Sequence, residues 1–226
     1  MSCCAAGTAD TDRFFSRLAP FSRLRFRLFG FERSQKQLMA GVARSSLAGA
    51  SILEVGCGAG HLHQALLQGS GADRATGVEL SARMLEAARA AARSQGLSER
   101  TDYRHGDFVV LASSLPDADV TILDKVICCY PDADTLLARA LERTRRICAL
   151  TYPRDRRLTR VTAELQAKLL RVAGSTFRPY VHDPQRVERI IASYGFTKTY
   201  EAQTAVWLTE VYSRAAPAAR ESRPTP

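Results

Sequence analysis

Residues 52 to 62 read Ile-Leu-Glu-Val-Gly-Cys-Gly-Ala-Gly-His-Leu, an apolar run that breaks into three glycines at alternate positions and then resumes with apolar residues at helical spacing. Ile52, Leu53 and Val55 have the character of a buried strand, and Leu62, Leu66 and Leu67 recur as one face of a helix. Between them, Gly56, Gly58 and Gly60 permit positive φ and remove the Cβ atoms that would hold a ligand away from the backbone. A strand, a glycine turn and a helix in that order predict an open α/β sheet with a ligand cradle at the carboxyl end of the strand.

The spacing narrows the ligand. A dinucleotide fingerprint sets its glycines as Gly-x-Gly-x-x-Gly, whereas this chain has Gly-x-Gly-x-Gly and places His61 where the third glycine or an alanine would stand. Glu54, two residues before the first glycine, would repel a pyrophosphate but suits a ligand with an ammonium and a sulfonium. The glycine pattern with its upstream acid is similar to motif I of the class I S-adenosylmethionine-dependent methyltransferases. A Rossmann-type NAD(P)-dependent oxidoreductase and a non-catalytic S-adenosylmethionine-binding protein are the alternatives.

Later segments extend the resemblance. A second short strand ends at Glu79-Leu80, 23 positions after Gly56, close to the spacing at which an acid reaches ribose hydroxyls, and Ser81 is placed to cap the next helix. Asp107-Phe108, after Gly106, resembles the family segment bordering the adenine; a plain Gly-Asp turn is the competing reading. The strand from Asp119 ends at Asp124, where motif IV of these enzymes lies. The resemblance thus implies S-adenosylmethionine as cofactor, held by Glu54, Gly56, Gly58, Gly60, Glu79, Leu80, Asp107, Phe108 and Asp124, with no metal.

The remaining pattern alternates. Helices are expected from about Ala82 to Gln95 before a Gly96 cap, from Ala133 to Thr144, from Leu158 to Ala173 with Leu165, Leu169, Leu170 and Val172 on one buried stripe, and from Pro184 to Tyr194 capped by Asp183. Ile147 to Tyr152 reads as a strand closed by Pro153. Two final runs, Phe196 to Ala202 and Ala205 to Tyr212, resemble the closing antiparallel hairpin of the methyltransferase fold. The expected architecture is therefore α/β, a Rossmann-like seven-stranded mostly parallel sheet with a C-terminal antiparallel hairpin and an N-terminal helical lid. Its expected divisions are a basic lid segment over 1–48, the methyltransferase domain over 49–214 and a disordered tail over 215–226.

The N-terminal segment interleaves Phe14, Phe15, Leu18, Phe21, Leu24, Phe26, Leu28 and Phe29 with Arg13, Arg17, Arg23, Arg25 and Arg27. Three roles are open to it: a lid that covers substrate, a peripheral contact with an anionic membrane surface, or a helical layer on the sheet. No run of about 18 apolar residues exists to span a bilayer, and the apolar core of a secretory signal is missing from the start of the sequence. The net charge of +9 is spread along the chain, which supports solubility more than nucleic-acid recognition. The six cysteines include two adjacent pairs, Cys3-Cys4 and Cys128-Cys129, which fit neither a secreted disulfide framework nor a metal knuckle; a reducing cytoplasm is the expected home. Nothing in the sequence sets the oligomeric state.

The acceptor side rests on fewer signals. After Asp124 the chain reads Lys-Val-Ile-Cys-Cys-Tyr-Pro, without the Asn-Pro-Pro-Tyr or Pro-Cys of base-modifying enzymes, so a small-molecule acceptor is expected, with O-methylation favoured. Tyr130-Pro131, Thr151-Tyr152-Pro153 and Trp207 resemble the magnesium-protoporphyrin O-methyltransferases and related bacterial small-molecule enzymes over roughly residues 30 to 213. Those porphyrin enzymes carry a histidine before the Tyr-Pro pair, where this chain has Cys129. Tyr130 and His182 are the first candidates for contacting the acceptor, with Tyr180, Lys125 and His105 behind them; a loop histidine can serve as a base near neutral pH.

Overall fold

The computed structural model, described over residues 25–172, 175 and 178–214, contains one seven-stranded sheet in the order β3-β2-β1-β4-β5-β7-β6. The strands are β1 (Ser51–Val55), β2 (Arg74–Glu79), β3 (Thr101–His105), β4 (Ala118–Asp124), β5 (Thr144–Pro153), β6 (Phe196–Gln203) and β7 (Trp207–Arg214). The first five pair in parallel, and β7 runs antiparallel to both β5 and β6. The chain builds outward from β1 to β3, then returns to lay β4 on the other side of β1. The carboxyl ends of β1 and β4 thus flank the crevice where ligands bind in open α/β sheets.

Alternation along each strand splits the core between two faces. Leu53 and Leu123 join Leu137, Leu150 and Ile191 on one side, while their neighbours Ile52 and Ile122 join Leu38, Leu66 and Leu85 on the other. Helices α1 (Arg33–Val42), α2 (His61–Gly69) and α3 (Ala82–Ser94) contribute to the second face. The short α4 (Phe108–Leu111), α5 (Ala133–Glu142) and α7 (Pro184–Ser193) cover the first. Two expected caps form: Ser81 accepts from the Met84 N–H at 3.4 Å and Asp183 from the Gln185 N–H at 3.0 Å. Gly96, just past α3, has φ +68°, a conformation an L residue adopts only with strain.

Two expectations change. Helix α6 (Arg157–Val172) forms, but its stripe is not buried: Leu165, Leu169 and Val172 are exposed and Leu170 is half-buried. Periodicity reveals that a helix has an apolar face; it does not reveal what that face meets. The N-terminal segment, in turn, divides its expected roles. Residues 25–29 are helical and their start reaches the ligand crevice, whereas α1 is a layer of the fold. Gly41 lies so close to the hairpin that a Cβ there would stand 2.5 Å from Tyr200 Cδ1 and 2.7 Å from Val211 Cγ2. Phe14, Phe15, Leu18 and Phe21, the Cys3-Cys4 pair and the tail beyond 214 lie outside the described residues.

Candidate active site

A cavity of about 380 Å³ opens at the carboxyl ends of β1, β2 and β4, within the range of small-molecule sites. It is lined by the glycine turn, by Glu54, Glu79, Asp107 and Asp124, and by Leu80, Phe108, Lys125, Cys129 and Tyr130. Of the expected cofactor residues, only Gly60 is not among the lining residues. Its task is different: with φ +76° it starts α2, and a Cβ there would stand 2.8 Å from Gln64 Nε2, 3.0 Å from His63 Cε1 and 3.1 Å from the Tyr103 hydroxyl. Gly60 makes room for buried polar side chains, and Gly58 belongs to the ligand cradle. At Gly58, φ is +53° and a Cβ would meet no protein atom within 4 Å.

Each carboxylate is oriented by its own partners. Glu79 accepts from the Gly58 N–H at 2.9 Å through one oxygen and from the Ser81 N–H at 2.9 Å through the other, tying strand β2 to the glycine turn of β1. Burial raises its pKa above the usual carboxylate range against the pull of those N–H donors. Glu54 is buried and accepts from the His63 backbone N–H at 3.2 Å, and the same oxygen lies 2.5 Å from His63 Nδ1. The Tyr103 hydroxyl accepts from Gln64 at 2.8 Å and lies 3.0 Å from His63 Nε2, so its proton fits that nitrogen and leaves Nδ1–H for Glu54. A row of buried side chains, none contiguous in sequence with Glu54, thus fixes the acid that precedes the glycine turn.

Asp124 ends β4 with one oxygen bonded to Gln35 Nε2 of α1 at 2.9 Å; its other oxygen is buried with no partner among the described residues. Burial raises its pKa as well, with Lys125 and Gln35 opposing. Lys125 follows at φ +61°, uncommon for a residue with a side chain. Its ammonium is 2.5 Å from Glu32 and 5.1 Å from the centre of the Trp207 ring. Arg25 pairs with the other Glu32 oxygen. Burial opposes ionisation of Glu32, but Lys125 and Arg25 outweigh it and hold the carboxyl below its usual range. Phe26 completes the cover by stacking on His61, with centroids 3.7 Å apart and planes 5° apart.

The acceptor candidates separate. The Tyr130 hydroxyl donates to Asp107 at 3.1 Å, while Asp107 also caps α4 through the Val109 N–H at 2.9 Å. His182 is not among the lining residues; its Nε2 lies 2.8 Å from the Ile127 carbonyl oxygen and donates to it. Burial lowers the His182 pKa, so the ring is neutral at pH 7 and props the turn that carries Cys129 and Tyr130. Tyr180 braces the same turn through its N–H to the Cys128 carbonyl at 2.7 Å. His105 is exposed beside the Leu80 carbonyl, 2.9 Å from its oxygen. Sequence reasoning did not single out Glu32, Gln35 or His63, because each acquires its place only through contacts distant along the chain.

Residues 52–149 match the family model described as a methyltransferase domain. Among solved structures, the chain is similar to magnesium protoporphyrin IX methyltransferase from Synechocystis PCC 6803, at 19% identity and a TM-score of 0.67, covering 92% of this chain and 100% of that one. The putative methyltransferase of Haloferax volcanii, solved with its Trm112 activator, is 13% identical with a TM-score of 0.69, covering 92% and 99%. The O-methyltransferase family 2 protein from Planctomyces limnophilus, solved with apigenin, is 17% identical with a TM-score of 0.59, covering 82% of this chain and 63% of that one. These structures establish the shared fold. No curated protein sequence matches significantly.

Proposed function

We propose that this chain transfers the methyl group of S-adenosylmethionine to an oxygen of a small-molecule acceptor. The observation that carries the reading is one cavity in which Gly56, Gly58, Glu54, Glu79, Asp107 and Asp124 converge. Acids surround the glycine turn, so a pyrophosphate laid there would face Glu54 and Glu79; a ligand with ribose hydroxyls and a cationic amino-acid end is favoured instead. The buried oxygen of Asp124 with no partner among the described residues and the open space at Gly58 fit such a ligand.

In this reading Glu79 accepts from the ribose hydroxyls, Asp107 and Phe108 border the adenine, and Glu54 and Asp124 face the amino-acid end. S-adenosylmethionine supplies an electrophilic methyl group when bound. The protein's contribution is then alignment and exclusion of water rather than strong acid or base chemistry. Phe26 and the Glu32 contacts with Arg25 and Lys125 close the cavity from the N-terminal side. Tyr130 and Cys129 lie on the turn at the acceptor side, and His182 acts as a positioning residue beneath it. Cys57, Cys128, Cys129 and Cys148 are free thiols, which suits the reducing cytoplasm proposed for the chain.

Incubation with methyl-labelled S-adenosylmethionine and a panel of phenols, alcohols and carboxylic acids tests this reading. Label should enter one acceptor class, and Tyr130→Phe should lower turnover more than cofactor affinity. Label entering only nitrogen or nucleic-acid acceptors would refute the small-molecule oxygen assignment.

A further inference from the structure

Among the described residues, none covers the apolar face of helix α6. Leu158, Val161, Leu165, Leu169 and Val172 are exposed by 74, 61, 56, 62 and 89%. At 3.6 residues per turn these five positions fall within one arc of about 80°. Thr159, Ala163, Ala167 and Leu170, the half-buried positions, fall on the opposite side of the helix. The helix therefore turns a face of mostly small residues toward the protein and its large aliphatic side chains outward. Singly scattered exposed apolar residues are ordinary; five aligned on one face mark a surface that is covered by something.

The end of the molecule at which this helix starts is informative. It leaves the carboxyl end of β5, the edge of the sheet at which the cavity opens. The segment 25–29, whose Arg25 and Phe26 line the cavity, exposes Leu28 by 66% and Phe29 by 76%.

Charge selects the partner. The exposed charged residues of α6 are Arg157, Arg160, Lys168 and Arg171 against Glu164. Arg160 is engaged by Asp155, while Arg157 and Lys168 fall beside the apolar arc. Two copies paired through this face would bring like charges together, a destabilising arrangement. An anionic surface would satisfy both the aliphatic stripe and its basic border. No helix among the described residues is long and apolar enough to cross a membrane, so such a contact lies in the interfacial plane. We propose that α6 docks the chain on an anionic lipid surface through its Leu/Val stripe. The proposal goes beyond the catalytic reading and does not depend on which acceptor is methylated.

Co-sedimentation of the full chain with vesicles of phosphatidylcholine alone, or mixed with phosphatidylserine, tests it. Binding should appear with the anionic vesicles only and weaken as salt is added. The double variant Leu165→Asp/Leu169→Asp should lower partitioning by about tenfold or more. Arg157→Ala/Lys168→Ala should lower it by roughly twenty-fivefold, from about fivefold per basic side chain near an anionic leaflet. Because the substituted side chains are exposed, both variants should keep the wild-type melting temperature and S-adenosylhomocysteine affinity. Absence of wild-type binding to phosphatidylserine vesicles at low salt, or equal binding by the variants, would overturn the proposal. So would a dimer in lipid-free sedimentation velocity that Leu165→Asp/Leu169→Asp dissociates, since a second copy would then be the occupant.

Discussion

Gly58 and Gly60 are two residues apart in one turn, share a left-handed backbone, and should respond to alanine in opposite ways. Holding alanine in this region costs about 1 kcal/mol at either site, partly offset by roughly 0.5 kcal/mol from a stiffer unfolded chain. At Gly58, where a Cβ would meet nothing within 4 Å, little more is lost. At Gly60 the methyl would sit 2.8 Å from Gln64 Nε2 and 3.1 Å from the Tyr103 hydroxyl, displacing two buried hydrogen bonds worth about 1 kcal/mol each. Gly60→Ala should therefore cost about 2.5 kcal/mol and Gly58→Ala about 0.5 kcal/mol. In a chain of this size that corresponds to falls in melting temperature of about 5–10 °C and about 1–2 °C. Titration calorimetry with S-adenosylhomocysteine should show the reverse order, with Gly58→Ala about tenfold weaker from overpacking the cradle and the folded fraction of Gly60→Ala close to wild type. Equal stability losses, or a weaker affinity for Gly60→Ala than for Gly58→Ala, would refute the division of labour drawn between the two glycines.

Three further outcomes follow from the same geometry. Glu79→Ala removes the acceptor proposed for two ribose hydroxyls and should weaken S-adenosylhomocysteine binding by about a hundredfold or more, at roughly 1.5–3 kcal/mol per charge-assisted bond, measured by calorimetry. The folded-state pKa of His182 lies below its unfolded value, so its neutral form contributes stability above the unfolded pKa that is lost as pH falls through the folded pKa. The stability gap between wild type and His182→Asn, read by urea unfolding, should accordingly narrow from pH 7.5 toward pH 5, roughly the range in which histidine titrates. Lys198 bonds the buried Glu210 at 2.6 Å, and Tyr152 donates to the same carboxylate at 2.6 Å. Burial would lower the Lys198 pKa, yet Glu210 and Glu188 outweigh it and raise it. Lys198→Met should cost about 2–4 kcal/mol in denaturant unfolding by leaving Glu210 without its cation.

Much of the site was legible because its parts are local. Positive φ at a strand end demands glycine, so Gly56 and Gly58 announce the cradle wherever the chain goes next. Glu79 and Asp124 stand at the ends of apolar runs, and a parallel sheet gathers such ends on one edge. What was not legible depends on meetings between distant segments. Gln35 reaches Asp124 across 89 positions, and Lys125 reaches Glu32 across 93. His182 lies in a loop before a helix in either reading, and only the fold turns its Nε2 toward the Ile127 carbonyl rather than the cavity. Helix α6 was misread for the complementary reason: its sequence holds a true apolar stripe, and none of the described residues covers it.

The most direct test of the central claim is paired titration calorimetry of the full chain against S-adenosylhomocysteine and NAD. The acids around the glycine turn predict saturable binding of S-adenosylhomocysteine, weakened by Glu79→Ala, and no measurable heat with NAD. Saturable NAD binding with no response to S-adenosylhomocysteine would contradict the account at its foundation.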